Sequence, residues 1–320
     1  MRGRGAASSY PRIVSAVLLL AVGLLATACT VFSSAAGAPP NPTASDTTVA
    51  ASRADFPGPP NTGVPPGTTL RPYNGSCVIT QDSTVIDSSL VTCDLVIFAA
   101  KVVISRSKIM GQVVLDTDRP GSQRWSATLV DSEVDAGVVH EAAVSSGNMT
   151  ILRADIQGGQ TSVQCGELAV FCTVRDSWLH GQQIPAGADW HLGGFLSNGG
   201  RNIELTHNTV HCEPQPTGKD GGCTGDINLL GDFAPVSHVT ITGNLLAANV
   251  GNSYCTYGGD ASSKKFPHAD NVVYRDNVFE RGTNGMCGGY GPVSSFNDRG
   301  PGNLWVNNTW DDGQPVVPAD

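Results

Sequence analysis

Charge is scarce in this sequence, and basic charge most of all. Of 320 residues 15% are charged, with 19 Lys and Arg against 28 Asp and Glu and a net charge of -9. Such a chain offers no cationic face to a phosphate backbone, which argues against nucleic acid as a partner. Long apolar runs are equally rare. Residues 13–28 form an uncharged run of 16 residues, short for a membrane span, and no later segment is long and apolar enough to be one. Beyond that run there is no 3.6-residue apolar period, which excludes a helical repeat. Hairpin turns with regular strand alternation are missing too, which disfavours a β-sandwich. Disorder is excluded for most of the chain by its 40% hydrophobic content.

What is present begins with an export signal. Arg2, Arg4 and Arg12 precede the apolar run, so residues 1–28 have the layout of a signal peptide. The run ends Leu25-Ala26-Thr27-Ala28-Cys29, which reads either as an Ala-x-Ala cleavage site or as a bacterial lipobox with Cys29 lipidated. Of nine cysteines, setting Cys29 aside leaves an even eight, at Cys77, Cys93, Cys165, Cys172, Cys212, Cys223, Cys255 and Cys287. That arithmetic favours lipidation and four disulfides in an oxidising compartment. Pairs close in sequence, Cys77 with Cys93, Cys165 with Cys172, Cys212 with Cys223 and Cys255 with Cys287, would act as loop staples, though eight cysteines allow about 105 pairings. Residues 29–70 are rich in Pro, Ala, Thr and Ser and read as a flexible tether. Without residues 1–28, sixteen basic residues remain against 28 acidic, a formal charge of -12.

A repeat decides the fold. Six-residue units of the form apolar, two variable residues, a small or amide residue, one variable residue, apolar begin at Ile86, Ile104, Leu129, Ile151, Val174, Leu205, Ile241, Tyr274 and Trp305. Steps between them are 18, 25, 22, 23, 31, 36, 33 and 31 residues. About 22 residues suit one turn of a three-sided coil, three short strands and three corners. The spacing predicts an all-β, single-stranded, right-handed parallel β-helix of about nine coils over residues 71–316, with longer loops in its second half. Ser89, Ser107, Ser132 and Ser177, then Asn208, Asn244, Asn277 and Asn308, occupy the corner position and are expected to stack as a polar ladder. Asn suits a corner because it tolerates left-handed backbone angles.

The units Asn202-Ile203-Glu204-Leu205-Thr206-His207-Asn208-Thr209-Val210 and Asn271-Val272-Val273-Tyr274-Arg275-Asp276-Asn277-Val278-Phe279 resemble those of the pectate-lyase-like right-handed β-helix superfamily. The opening from Phe56 to Leu70 resembles that of secreted bacterial β-helix proteins of unassigned activity. The export signal, Cys29 and the cysteine set lead to the expectation of an extracellular or cell-surface location with membrane contact through the lipid anchor alone; the expected partner is a polysaccharide or cell-wall glycan, and the expected state a monomer. The resemblance does not carry the enzyme signatures of that superfamily. The paired Asp motifs of polygalacturonase-like hydrolases and the Asp cluster with Arg-x-Pro-x-x-Arg of pectate lyases do not occur. Asp189-Trp190-His191-Leu192-Gly193-Gly194-Phe195-Leu196 is similar to a His-x-Asp-Gly-x-Gln segment of the relatives, with Gly193 in place of the acid and Leu196 in place of the amide. A binding protein without strong catalysis is therefore expected first, and a polysaccharide lyase or glycoside hydrolase second.

The longer steps between 174 and 305 hold the titratable and aromatic groups of a candidate site. His191 is the candidate general base or acid, Asp226 its carboxylate partner, and Tyr254 a proton donor or stacking platform. Trp190, Asp232, Tyr257 and Lys264 are candidates for substrate contact, Lys264 as a partner for a uronate carboxylate. No cofactor is expected, calcium at Asp116-Thr117-Asp118 being the one possible exception. His207 and His211 have metal-ligand spacing only on a helix.

Overall fold

Short strands dominate because Val, Ile and Thr recur beside Gly, Ser and Asn corners, so each apolar run ends before it can lengthen. A computed structural model describes residues 51–249 and 253–318, and the expected signal peptide, Cys29 and the first part of the tether lie outside them. Among the described residues there are 28 strands, two 3-10 turns and no α-helix. The strands form three parallel sheets: a first of ten, from Arg71–Pro72 to Thr309–Trp310; a second of nine, from Val78–Ile79 to Gly291–Ser294; and a third of nine, from Val85–Asp87 to Leu304–Val306. Successive strands of one sheet are three apart in chain order, so the chain visits all three sheets in turn. This is a single-stranded parallel β-helix of nine coils, as the spacing of the repeat predicts.

The repeat maps onto the register residue by residue. Its leading positions form one continuous column of the third sheet, Ile86 beside Ile104, then Leu129, Ile151, Val174, Leu205, Ile241, Tyr274 and Trp305. Its closing positions form a column of the first sheet, from Val91 and Ile109 through Val134, Ile156, Leu179, Val210 and Leu246 to Phe279 and Trp310. Ile104, Leu129, Ile151, Val174, Leu205 and Ile241 are all buried in one core. Every coil thus removes the same apolar side chains from water, each worth roughly 1.5–3 kcal/mol when fully buried.

Between these columns runs the polar ladder. The Asn208 N–H and Nδ2 both donate to Asn244 Oδ1 at 2.9 Å, Asn244 does the same to Asn277, and Asn277 to Asn308. Each amide also donates back to a strand carbonyl of the preceding coil, as Asn244 Nδ2 does to Leu205 at 2.9 Å. The serines make a smaller version: Ser89 N–H donates to Ser107 Oγ, Ser107 N–H to Ser132 Oγ, and Ser177 N–H to Asn208 Oδ1. Ala154, which has no side-chain acceptor, interrupts the series after Ser132. One expectation needs correcting. The left-handed residue is the one before the ladder position, Ser88, Arg106, Asp131, Arg153, Asp176, His207, Gly243, Asp276 and Asn307. Asparagine is thus selected for its two-way amide rather than for its backbone.

The cysteines pair as 77–93, 165–172, 212–223 and 255–287. Residues 51–70, read from composition as part of a tether, are described in the structure, and their first part is bonded to the β-helix. Residues 51–63 lie along the first sheet: Thr209 Oγ1 donates to the Pro57 carbonyl at 2.6 Å, Gly63 N–H donates to Arg153 O at 3.0 Å, and Phe56 packs 5.9 Å from the His207 ring. Proline-rich chain loses little further freedom on docking, so the same composition serves a strap as well as a linker.

Replacing Asn244 by Ala leaves the Asn208 N–H without its acceptor, takes one of two acceptors from the Asn208 amide, and removes the amide donor to the Leu205 carbonyl inside the core. Chemical denaturation should show a loss of roughly 2–5 kcal/mol. Ser89, whose hydroxyl donates only to the Asp87 carbonyl, should cost under about 1 kcal/mol when changed to Ala.

Candidate functional site

Long loops overhang the second sheet because only the later coils have residues to spare. Its outward column Gln164, Leu196, Asn228, Tyr257 and Ser294 is in register across five coils. Leu196, Asn228 and Tyr257 from this column help line a groove of about 480 Å³, together with Gln160, Thr161, His191, Thr224 and residues of the loop that carries Ser263 and Lys264. Its chemistry mixes amides and hydroxyls with apolar Leu196 and Leu230, the Tyr257 ring, one imidazole and one ammonium. No Asp or Glu is among the lining residues.

Asn228 sits at the centre of the local design. Its amide lies across Gly193 and Gly225: a Cβ on Gly193 would come within 2.4 Å of Nδ2, and one on Gly225 within 2.8 Å of Oδ1. Both glycines are needed for that close approach, and an acid at 193, where the related segment has one, would displace the amide. Asn228 Nδ2 donates to Gly225 O at 3.1 Å, while its Oδ1 has no hydrogen-bond partner although the residue is only 3% exposed. An unmatched buried acceptor is costly and favours any donor brought to it.

The candidate residues divide. His191, Tyr257 and Lys264 line the groove. His191 is largely exposed, with Nδ1 3.4 Å from Thr224 Oγ1 and Nε2 3.8 Å from the exposed Asp220 carboxylate. Tyr257 hydrogen-bonds Ser253, and burial raises its phenol above the ordinary tyrosine range. Tyr254 is not in the lining but meets Tyr257 edge-on at 5.7 Å, with Tyr290 5.9 Å away. Asp232 is already paired with Lys264, Oδ1 to Nζ 2.9 Å, so the lysine enters the groove neutralised.

Asp226 and Trp190 require correction. Asp226 is 0% exposed, enclosed by segments that lead from the first sheet to the second: its Oδ1 accepts the Cys212 N–H at 2.8 Å, and its Oδ2 has no partner. It neither reaches solvent nor pairs with His191. Burial drives its pKa up to about 8, against the opposing pull of nearby His211. Its proximity to Cys255 and Cys287 does not make a metal centre, since those sulfurs are joined in a disulfide. Trp190 packs with Ile184 against Leu192, Cys212 and Cys223 and stands 4.7 Å from the His140 ring. It belongs to a small satellite core under the loops. At the proposed calcium position, Asp116 is bonded to Arg119, and burial together with Glu167 and Asp116 raises Asp118 above the usual carboxylate range. Among the described residues they belong to no cluster of three or more His, Cys, Asp or Glu side chains whose ligand atoms converge.

Sequence reasoning missed Asn228, Thr161 and Gln160. It also missed a second titratable cluster on the first sheet, where His180 lies between Asp155 at 2.8 Å and Glu213 at 4.0 Å, stacked on Trp178, and His211 contacts Glu213 at 3.0 Å. The Glu213 interaction and the Asp226 charge outweigh desolvation and raise His211, and His211 in turn lowers Glu213. The two histidines were separate singletons in the sequence, and only the register makes them neighbours. His207 turns instead to Asp176 and the Asp55 carbonyl, so it does not join His211 in a metal site. Comparison of the chain with protein-family models, curated proteins and solved structures gave no match.

The Asp226 carboxyl binds its proton more tightly folded than unfolded, so it lowers stability progressively as pH rises from about 4 to about 8. Asp226→Asn keeps an oxygen for the Cys212 N–H and removes that titration. In melts run across this range the variant should gain on the wild type with rising pH and level off above about pH 8. Equal slopes for the two proteins would show that Asp226 is not held neutral.

Proposed function

We propose that this is an exported β-helix protein that binds an extracellular polysaccharide or cell-wall glycan in the groove of the second sheet, without strong catalytic activity. One observation carries the reading: the Asn228 amide and the hydroxyl-bearing residues Thr161, Thr224 and Ser263 line one groove together with the Tyr257 ring. Sugars present hydroxyls at regular intervals and an apolar ring face, which such a surface matches. The four disulfides fit an oxidising compartment outside the cytoplasm. The export signal and Cys29 support lipid anchoring to the outer face of a bacterial membrane, with the chain from residue 30 to about 50 as spacer. Similarity of the repeat units to the pectate-lyase-like superfamily supports a carbohydrate partner.

A two-carboxylate hydrolysis has no groups in this groove, since its lining carries no acid. A lyase reaction would have to rest on His191 with Tyr257, and release of unsaturated products from a polysaccharide panel would establish it. On the binding reading, affinity electrophoresis against soluble glycans should detect retardation. Tyr257→Ala should weaken it roughly five- to tenfold, the worth of one ring contact, with the far-ultraviolet spectrum unchanged. Retention of full affinity by Tyr257→Ala would place the glycan elsewhere.

A further inference from the structure

The charge pattern around the groove specifies more than a sugar. Among the described residues Lys264 is the sole Lys or Arg in the lining, and its ammonium is held by both carboxylate oxygens of Asp232, at 2.9 and 3.0 Å. Each partner is about 30% exposed, so the pair is partly shielded from salt. His191, the other group able to carry positive charge, has the Asp220 carboxylate 3.8 Å from its Nε2. Each potential anion-binding group therefore already faces a carboxylate. Divalent bridging to an acidic sugar has no carboxylate ligand in the lining either, which contains no Asp or Glu. Against this stand Thr161, Thr224, Ser263 and the Asn228 amide, whose buried Oδ1 lacks a donor that a sugar hydroxyl can supply once the amide turns outward.

We infer that the groove selects a neutral, hydroxyl-rich glycan and rejects uronate polymers, and that Asp232 is the specificity-determining residue because it silences Lys264. The inference rests on the groove being the glycan site. A uronate carboxylate entering it would meet a lysine already satisfied and would add its charge to those of Asp220 and Asp232. With a mature charge of -12, the rest of the chain gives no compensating attraction.

The test uses the folded exported chain with four soluble polymers: a β-glucan, a galactan, polygalacturonate and alginate. The wild type should bind a neutral polymer at least tenfold more tightly than either uronate, and that affinity should be nearly independent of sodium chloride, as expected without ion pairing. Asp232→Asn frees the Lys264 ammonium, and its affinity for polygalacturonate should rise about tenfold and fall again with salt. Adding Lys264→Met to that variant should abolish the gain. Wild-type preference for polygalacturonate or alginate, with or without calcium, would overturn the inference while leaving the groove as the glycan site. No gain in Asp232→Asn would overturn the role given to the Asp232–Lys264 pair. If no polymer of either class is bound, the glycan reading falls and this inference with it.

Discussion

Register between coils is the constraint on which everything else depends. Each strand exists only because the strand one coil earlier and one coil later offers hydrogen bonds in the same phase, and a slip of one residue would turn every inward side chain outward. The columns from Ile86 to Trp305 and from Val91 to Trp310 show that phase held over nine coils. What holds it at the corner is a left-handed residue followed by a side chain that answers the preceding coil's backbone. In the second half the amide does this in both directions at once: Asn244 accepts from the Asn208 N–H and donates to the Leu205 carbonyl of the preceding coil, and donates as well to Asn277 Oδ1 of the next. Serine can accept and donate too, but it reaches only its own strand carbonyl, as Ser107 Oγ does to Ser105 O. The change from serine to asparagine coincides with the lengthening of the steps, where loops pull hardest on the corner geometry.

That division of labour explains where function can reside. Three short strands per coil are fixed by the columns, so variation is confined to the connections, and the second sheet is where the connections overhang. Two disulfides, 212–223 and 255–287, tie the loops on that side, and Leu192, Trp190 and Ile184 give them a small core of their own. The loop that gives the groove Ala261, Ser263 and Lys264 has no disulfide and is held by the Lys264–Asp232 pair and by the Phe266 N–H donating to the Gly231 carbonyl.

The fold was legible because its signal is periodic. Leading apolar positions, closing apolar positions and the ladder residues all recur at fixed offsets, and the pairing of the cysteines followed from their nearness in sequence. The site was legible only in part. His191, Tyr257 and Lys264 stood out as titratable or aromatic groups in long loops, and the structure does bring them to one groove. Asn228 and Thr161 were invisible because nothing in their own sequence neighbourhood marks them: their importance comes from alignment with Leu196, Gly193 and Tyr257 in other coils. Gly193 and Gly225 were the one usable sign, a glycine paired with a glycine one coil on, beneath a polar side chain.

Asp226 shows why type and position along a strand are not enough. It stands two residues before Asn228 on the strand Gly222–Leu229, so simple alternation gives both the same outlook. What separates them is the roof. Segments carrying Cys212, Asn249 and Cys287 close over Asp226, while Asn228 lies beyond their edge. Under that roof the carboxyl stays protonated at neutral pH, and its role becomes that of an acceptor for the Cys212 N–H rather than that of a base. The same covering that takes Asp226 away from the surface leaves the adjoining groove with no Asp or Glu in its lining, so the polarity of that groove rests on the neutral side chains beyond the roof and on the paired Lys264.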